Sequence, residues 1–250
     1  MISHAYIHEY GNGELEPEHL AVKQVLESRG IPCELFTAKR LSRNQLNLGP
    51  STLVVGDHPT MEAVFKRLKY SYSNDCYPVS LRSFLQRQIW QSTVKHLLMG
   101  RMHSDYPIFI KPKSRAKLFT GLVLQSQADL YRLDTIPKKT EIYGSSVVNW
   151  VSEFRVFVNR GEIVGVRHYD GDPSLRLNMD VVQRSVVQFE ASDEHTASYG
   201  IDFGVLEQGE TTLIEWNDGF ALGAYGLDAE VYTDLLLERW KEIVGSLHEK

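Results

Sequence analysis

The stretch YGIDFGVLEQGETTLIEWN (residues 199–217) organises the rest of the chain, because two apolar runs flank the polar sequence EQGE. The dipeptide Gln208-Gly209 forms a natural two-residue turn between the runs, which predicts a β-hairpin. Counting outward from this turn places Asp202 directly opposite Glu215. Directly opposed residues have their Cβ atoms about 4.5–5.5 Å apart, a separation at which two like charges destabilise the sheet.

The opposed carboxylates need a neighbouring cation, or one of them must be protonated. Side chains alternate along a strand, so Asn217 adds a third oxygen donor on the face of Glu215. Three such oxygens, completed by water or phosphate, suit Mg²⁺ better than a softer metal. The alternative is a register displaced by one residue, in which case these residues are only the solvated polar end of a strand. The residues alone leave both interpretations open.

A basic loop precedes this hairpin in the chain. The sequence KPKSRAK (residues 111–117) spaces Lys111, Lys113, Arg115 and Lys117 two residues apart, in a chain whose net charge is −5. Phosphate groups bind donors of this kind, and a loop between two strands can fold over them. Lys111 ends the apolar run IFIK, so we expect its ammonium group to point inward. The alternative is a solvated basic turn.

A second hairpin is predicted over residues 152–172, turning at residues 159–161. Glu153 and Arg155 share one face of its first strand, and Arg167 lies close to opposite Arg155 on the returning strand. One interpretation is a structural salt bridge. The other is that two guanidinium groups converge on a carboxylate or a transferring phosphoryl group, which each can bind through two hydrogen bonds.

The remaining pattern predicts a mixed fold of helices and sheets. Residues 1–78 alternate short strands and helices, as in a small α/β layer, and end in the polar segment YSYSNDCYP. Residues 79–250 contain antiparallel strand pairs and helices, including a helix predicted over residues 80–98 from the spacing of its apolar side chains. We therefore expect a domain boundary near residue 78.

The composition is that of an ordinary folded protein, with 42% hydrophobic and 24% charged residues. The net charge of −5 gives no indication of nucleic-acid binding, and no such partner is expected. The two cysteines, the absence of a signal sequence and the lack of a long apolar run predict a cytoplasmic protein with no membrane partner. The oligomeric state stays open.

Taken in chain order, several segments together resemble the ATP-grasp superfamily, and most closely its clade named for two arginines and a lysine. The resemblance covers roughly residues 80–250. The segments are PIFIKP (107–112), KLFTG (117–121), SSVVNWVSEFRVFVNRGEIVGVRHY (145–169), YGIDFGV (199–205) and LIEWNDGFALGAYGL (213–227). The resemblance implies an α/β (α+β) protein in which two α+β subdomains clamp ATP, behind a small α/β domain at the amino terminus.

The resemblance also implies a nucleotide site. Lys111 is similar to the strand lysine that contacts the ATP phosphates, and Lys117 to a second lysine on the flap that closes over them. The residues Val147, Val148 and Asn149 occupy the place of the hinge whose backbone pairs with adenine. Glu153 falls where the family places the glutamate that holds the ribose hydroxyls.

The metal and catalytic roles follow from the same resemblance. Asp202, Glu215 and Asn217 match the aspartate and the glutamate-x-asparagine pair that bind Mg²⁺. Arg155 and Arg167 are candidates for the two named arginines, and with Lys117 they would act on the transferring phosphate or the acceptor carboxylate.

The activity that the resemblance implies is that of an ADP-forming carboxylate–amine ligase, with small-molecule or peptide substrates. The alternatives are a phosphotransferase acting on a hydroxyl and a non-catalytic ATP-binding module. The chain has no glycine-rich substrate loop near its amino terminus, so the acceptor and the nucleophile stay open.

Overall fold

The computed structural model describes residues 2–73, 75–100, 105–113 and 118–248. Lys117 and Arg115 of the basic loop lie outside the described residues. The strands are β1 (His4–His8), β2 (Cys33–Phe36), β3 (Thr52–Val55), β4 (Ile89–Thr93), β5 (Ile108–Pro112), β6 (Leu122–Leu124), β7 (Glu141–Ser146), β8 (Trp150–Asn159), β9 (Glu162–Gly171), β10 (Ser198–Leu206) and β11 (Thr211–Asp218). The α-helices are α1 (Pro17–Ser28), α2 (Ala38–Ser42), α3 (His58–Leu68), α4 (Val94–Leu98), α5 (Met179–Glu190) and α6 (Ala229–His248).

The amino-terminal layer is a parallel sheet with the strand order β2-β1-β3. Its central strand is buried on both faces, with Ala5 and Ile7 fully buried on one face and Tyr6 buried on the other, as expected for a parallel sheet covered on both sides. Helix α1 begins at Pro17, whose missing N–H is not needed in the first turn. The chain leaves this helix through Gly30, with a φ of 74°. The predicted small α/β layer is therefore present.

Two antiparallel sheets follow, with the strand orders β4-β7-β5-β6 and β11-β10-β8-β9. Helix α5 packs against a 3₁₀ helix at Val79–Phe84. The two sheets with their helices, together with the amino-terminal layer, confirm the mixed α/β (α+β) fold class.

The single helix predicted over residues 80–98 is wrong. The 3₁₀ helix is followed by strand β4 and only then by the short helix α4. Strand β4 pairs with β7, and Trp90 lies opposite Gly144. A Cβ atom added to Gly144 would lie 2.2 Å from the Trp90 ring, so the indole fills the space above the glycine. This pairing joins residues distant in the sequence, and it outweighs a local helical spacing.

Helix α6 returns the chain to the amino-terminal layer. One apolar cluster contains residues from both, including Leu53 of β3 and Leu235 of α6. The indole Nε1 of Trp240 donates a hydrogen bond to the carbonyl oxygen of Thr52 at 2.7 Å. The segments 1–78 and 79–250 thus share core packing, and the boundary near residue 78 stays a prediction. Within the described residues, no helix is both long enough and apolar enough to span a bilayer.

Candidate active site

Four charged side chains form one row across the second antiparallel sheet. Asp202 on β10 pairs with Glu215 on β11 and, on its other side, with Arg155 on β8. Arg155 pairs in turn with Arg167 on β9. The register expected from the hairpin patterns, in which Asp202 faces Glu215 and Arg155 faces Arg167, is therefore confirmed.

The turn between β10 and β11 differs from the predicted one. The N–H of Gly209 donates to the carbonyl of Leu206 at 2.8 Å, and the N–H of Leu206 donates to the carbonyl of Glu210 at 2.9 Å. The loop therefore has three residues, 207–209, and Gly209 closes it with a φ of 85°. A glycine in the left-handed region at the third position is typical of three-residue hairpin loops.

A β-bulge at Ile214 corrects the register that this turn would impose. A regular ladder built on the three-residue loop would set Asp202 opposite Ile214. The pairing instead shifts between Asp202 and Phe203, so that Phe203 faces Leu213 and Asp202 faces Glu215. The assumed turn was one residue too short and the bulge adds one residue to β11, and these two differences cancel.

Arg87 holds the bulged strand. Its guanidinium donates to the carbonyl oxygens of Leu213 and Ile214, each at 2.7 Å. The guanidinium carbon lies 5.0 Å from the centre of the Trp150 ring and 5.8 Å from that of Tyr77. Burial lowers the pKa of Arg87 from its ordinary value. The sequence reasoning missed this residue, because nothing in its surroundings links it to a strand 126 residues later.

Arg155 grips Asp202 through two hydrogen bonds. Its Nε and Nη2 atoms each lie 2.7 Å from one carboxylate oxygen. The side-chain amide of Asn217 donates to Asp202 at 3.1 Å and to Glu215 at 3.4 Å. The amide nitrogen of Asn217 thus contacts both carboxylates, and the Arg155 guanidinium borders them.

Lys111 reaches this group from the other antiparallel sheet. Its ammonium group forms an ion pair with Glu215 and lies 4.6 Å from the centre of the Tyr77 ring. Burial alone would lower the pKa of Lys111, but the charge of Glu215, its hydrogen bond and the nearby Cys76 and Tyr77 together outweigh burial, and the pKa is above its ordinary value. The two sheets are thus bridged by a charged lysine at the row of carboxylates.

A cavity of about 260 Å³ lies next to this bridge. Lys111 and Glu215 form its polar side, and Arg87 and Ser145 also contribute to its lining. Its apolar walls are formed by Phe109, Val123, Val147, Val148, Trp150 and Ile214. A narrow apolar cavity with a few polar groups at one side suits a flat heterocycle joined to a charged chain.

The segment between β7 and β8 forms one wall of the cavity. Within the described part of the chain, the backbone groups of Val147 and Val148 make no hydrogen bond, so they are available to a ligand. Asn149 is different, since its side-chain amide donates to Glu207 at 3.4 Å and does not line the cavity. Any contribution of Asn149 therefore falls to its backbone.

Glu153 lies two residues before Arg155, on the same face of β8. It accepts a hydrogen bond from the hydroxyl of Tyr169 at 2.8 Å. Burial raises the pKa of Glu153, and the nearby charges of other carboxylates add to the rise. The Tyr169 ring stacks on that of Tyr225 at 4.9 Å, and the Arg155 guanidinium carbon lies 4.8 Å from the centre of the Tyr225 ring. The two tyrosines were not predicted, because their contact depends on how the loop before α6 folds back.

The two arginines hold that loop at separate points. Arg167 donates through Nε to the carbonyl oxygen of Gly226 at 3.1 Å. Arg155 contacts the carbonyl oxygen of Gly223 at 3.5 Å through Nη1. The two guanidinium groups thus contact the same loop from the same row of the sheet, and Arg155 also binds Asp202.

The donor set suits a hard divalent ion better than a softer one. Among the described residues, no three His, Cys, Asp or Glu side chains form a metal-binding cluster. Asp202 and Glu215 supply two carboxylates, and the amide of Asn217 carries the third predicted oxygen donor. Mg²⁺ is typically held by one or two carboxylates, with water and phosphate oxygens completing the shell.

The comparisons with known proteins agree with this architecture. A family model matches residues 84–235, more than half of the chain, and describes an ATP-grasp domain, family 2 of the clade named for two arginines and a lysine. A search of curated protein sequences found no significant match.

Solved structures of ATP-grasp ligases share the fold at low identity. D-alanine–D-alanine ligase from Bacillus anthracis is 12% identical with a TM-score of 0.61, and the match covers 98% of each chain. The ATP-grasp ligase PsnB, complexed with a minimal precursor, is 13% identical with a TM-score of 0.59, over 96% of this chain and 100% of that one. D-cycloserine synthetase DcsG is 10% identical with a TM-score of 0.62, over 95% and 99%. The chain belongs to the ATP-grasp superfamily, within family 2 of the clade named for two arginines and a lysine.

Proposed function

We propose that the chain is an ATP- and Mg²⁺-dependent ligase that activates a carboxylate as an acylphosphate and joins it to an amine, releasing ADP and phosphate. One observation carries the proposal: Lys111 of one sheet meets the Asp202–Glu215 pair of the other beside an apolar cavity. Membership of the ATP-grasp superfamily supports nucleotide binding in the same place.

The proposed nucleotide position uses the cavity and its polar side. The adenine ring would occupy the apolar cavity and hydrogen-bond to the free backbone groups of Val147 and Val148, with Asn149 contributing through its backbone. Glu153 would accept hydrogen bonds from the ribose hydroxyls. Lys111 would bind the phosphates, since its ammonium group already stands at the cavity's charged side.

Asp202, Glu215 and Asn217 would hold Mg²⁺. Bound there, the ion would neutralise charge on the phosphates during transfer. The carboxylates now pair with Lys111 and Arg155, so both cations lie beside the place where phosphate oxygens would arrive. Arg155 and Arg167 are proposed to orient the acceptor carboxylate and the transferred phosphoryl group, because guanidinium groups bind such oxygens in pairs.

The chemistry asks for alignment and charge neutralisation more than for a nucleophilic side chain. A carboxylate oxygen of the substrate forms the new bond to the γ-phosphorus, and the bond to the ADP oxygen breaks. The amine then attacks the acyl carbon, phosphate leaves with the acyl C–O bond electrons, and the departing phosphate takes up the proton that the amine loses. Lys117, which belongs to the flap in the family resemblance, is proposed to cover the phosphates during the first step.

The test is to incubate the protein with ATP, Mg²⁺ and panels of carboxylates and amines, and to quantify ADP, phosphate and product mass. A ligase releases one phosphate and forms one amide for each ADP. A phosphorylated hydroxyl compound with no free phosphate would identify the phosphotransferase alternative. ATP binding without turnover across the panels would identify a non-catalytic module.

A further inference from the structure

A second and larger crevice lies between the amino-terminal layer and the loop that precedes α6. Its volume is about 600 Å³, and it opens beyond the carboxyl ends of β1 and β3. In open α/β sheets, ligands bind in the crevice outside the carboxyl ends of the strands. The crevice is not part of the nucleotide cavity, and none of the predicted nucleotide, metal or catalytic residues lines it.

The charge of this crevice is one-sided. Three carboxylates, from Glu16, Glu18 and Asp57, line it, and none of the described lining residues is a lysine or an arginine. Asp57 caps helix α3 by accepting the N–H of Thr60 at 3.0 Å. Its second oxygen accepts from the hydroxyl of Tyr10 at 3.3 Å. The hydroxyl and the N–H soften the charge of one carboxylate, but no lysine or arginine of the described lining balances the three.

His19 adds an observation that is independent of charge. Its side chain lines the crevice, its residue is 7% exposed, and its Nδ1 atom has no hydrogen-bond partner among the described residues. Burial lowers the pKa of His19, which favours the neutral imidazole, and a neutral imidazole has one ring nitrogen that accepts hydrogen bonds. A buried polar atom without a partner is costly, so a donor from a ligand is the natural complement.

Aromatic rings complete the lining. Tyr10, Phe220 and Tyr232 face the crevice together with the carboxylates. Aromatic faces attract an organic cation through their quadrupole, and carboxylates and a neutral imidazole nitrogen accept its hydrogen bonds. This combination fits an alkylammonium group better than an anion or an uncharged polar group.

The crevice adjoins the catalytic row. Leu222 and Gly223 form part of its wall, and Arg155 contacts the Gly223 carbonyl at 3.5 Å from the other side. Burial raises the pKa of Tyr232, the charge of Glu18 adds to the rise, and the charge of Arg155 opposes it. The Tyr232 side chain therefore lies within electrostatic range of both the crevice and the catalytic row. A ligand in the crevice is therefore one loop away from the Arg155 guanidinium.

We propose that this crevice binds the alkylammonium group of a substrate of the ligase. That the bound molecule is a substrate rests on the proposed function. An ammonium group held by carboxylates has no free lone pair, so the held group is not the attacking amine. The substrate must then carry a second, reacting group. It is either an amino acid that presents its carboxylate for activation or a diamine that presents its other amine.

The binding test uses n-butylammonium chloride at pH 7 without ATP, with 1-butanol and sodium butyrate as probes of matched length. Titration of the isotope-labelled protein, followed through the imidazole resonances of His19, should give saturable binding of butylammonium at least about tenfold tighter than either control. Equal affinity for 1-butanol, tighter binding of butyrate, or no shift of the His19 resonances with butylammonium would overturn the proposal.

Two variants locate the binding. Glu18→Gln should weaken butylammonium binding by about tenfold, and Asp57→Asn should weaken it while keeping helix α3 capped, since asparagine is also a good cap. Glu14→Gln, an exposed position that does not line the crevice, makes the same change in charge and should leave the affinity unchanged. An equal loss in the Glu14 and Glu18 variants would show a general field effect and no site.

Turnover assays distinguish the amino-acid substrate from the diamine substrate, and they test the ligase activity separately from the ammonium site. With ATP and Mg²⁺, 4-aminobutyrate tests the amino-acid form and 1,4-diaminobutane with a carboxylate panel tests the diamine form. For the productive substrate, Glu18→Gln should raise KM about tenfold and leave KM for ATP unchanged. Butylammonium binding without any ADP formation would reject the ligase and keep the site, whereas ADP formation with an unaltered KM in Glu18→Gln would reject the site and keep the ligase.

Discussion

The second antiparallel sheet carries two buried arginine–carboxylate pairs of nearly identical geometry. Arg155 binds Asp202 through two hydrogen bonds of 2.7 Å in the middle of the sheet. Arg239 of α6 binds Asp218, the last residue of β11, through hydrogen bonds of 2.6 and 2.7 Å. Both aspartates are 3% exposed. Neither burial nor pair geometry distinguishes them.

The surroundings of the two pairs do differ. Arg239 also donates hydrogen bonds to Glu242 at 2.6 Å and to the hydroxyl of Tyr70 at 3.3 Å. The resulting network holds α6 against the sheet. Asp202 instead has a second carboxylate, Glu215, beside it in the sheet. A buried ion pair is weak evidence of function. A second carboxylate next to the pair, itself ion-paired with a lysine from another sheet, is a stronger indication of a functional site.

The largest expected effect is a loss of activity at the carboxylate beside the Arg155–Asp202 pair. Glu215→Gln removes a metal-binding charge while keeping the size of the side chain, and should lower ADP formation about ten-thousandfold, or about 5 kcal/mol of barrier. Steady-state ADP assays at saturating ATP measure it. Glu210→Gln, the same change at an exposed position of the same hairpin, is the control and should keep the wild-type rate. Near-normal turnover in Glu215→Gln would remove the proposed metal site.

The next effect is a difference between the two pairs in how much each stabilises the fold. Asp218→Asn leaves the buried Arg239 guanidinium with only the more exposed Glu242 as a charge partner, and should lower the free energy of unfolding by about 3–5 kcal/mol. Asp202→Asn also weakens a pair, but it removes the repulsion with Glu215, so we expect a smaller loss together with loss of turnover. Urea titrations of the two variants measure the difference. Equal destabilisation, or loss of turnover only in Asp218→Asn, would contradict the roles assigned to the two pairs.

The active row was predictable because its determinants are local. Alternation along strands and turn residues between apolar runs were enough to set Asp202 opposite Glu215 and Arg155 opposite Arg167. The success of the first pair was partly fortuitous, since a wrong turn length and an unforeseen bulge at Ile214 cancelled. Patterns of local sequence define which residues share a face more safely than they define register.

The parts that were missed depend on contacts across the chain. Strand β4 formed where a helix was predicted, because it pairs with β7. Arg87 acts on a strand distant in sequence, and the crevice around His19 arises only where the loop before α6 meets the amino-terminal layer. Hydrophobic spacing carries no information about such partners, so these features needed the folded chain.

A third prediction tests the lysine that joins the two sheets. Lys111→Met keeps a long apolar stem but removes the ammonium group, and should weaken ATP binding by about ten- to a hundredfold, through loss of a charge-assisted contact to phosphate. Isothermal titration calorimetry with ATP and Mg²⁺ measures the affinity. Lys95→Met, at an exposed position on α4, is the control. Wild-type ATP affinity in Lys111→Met would place the phosphates elsewhere.

The smallest effect tests how the functional face keeps its geometry. Arg87→Lys retains a positive charge, but a single ammonium group cannot reproduce the two guanidinium bonds that hold the carbonyls of Leu213 and Ile214. With the bulge less firmly held, Glu215 should face Asp202 less consistently, and we expect turnover to fall about tenfold.

The diagnostic measurement for Arg87→Lys is the Mg²⁺ concentration at half-maximal rate, because a displaced ligand weakens metal binding whereas a merely loosened fold lowers the rate at every metal concentration. That concentration should rise in Arg87→Lys and stay constant in Arg82→Lys, the same substitution at an arginine whose guanidinium hydrogen-bonds only to the Tyr77 carbonyl among the described residues, at 3.5 Å. A lower rate with unchanged Mg²⁺ dependence would make Arg87 a structural residue like Arg239. A shifted dependence would instead make Arg87 a positioning residue, and would extend the contrast between the functional pair and the structural pair to the arginine that aligns Glu215 with Asp202.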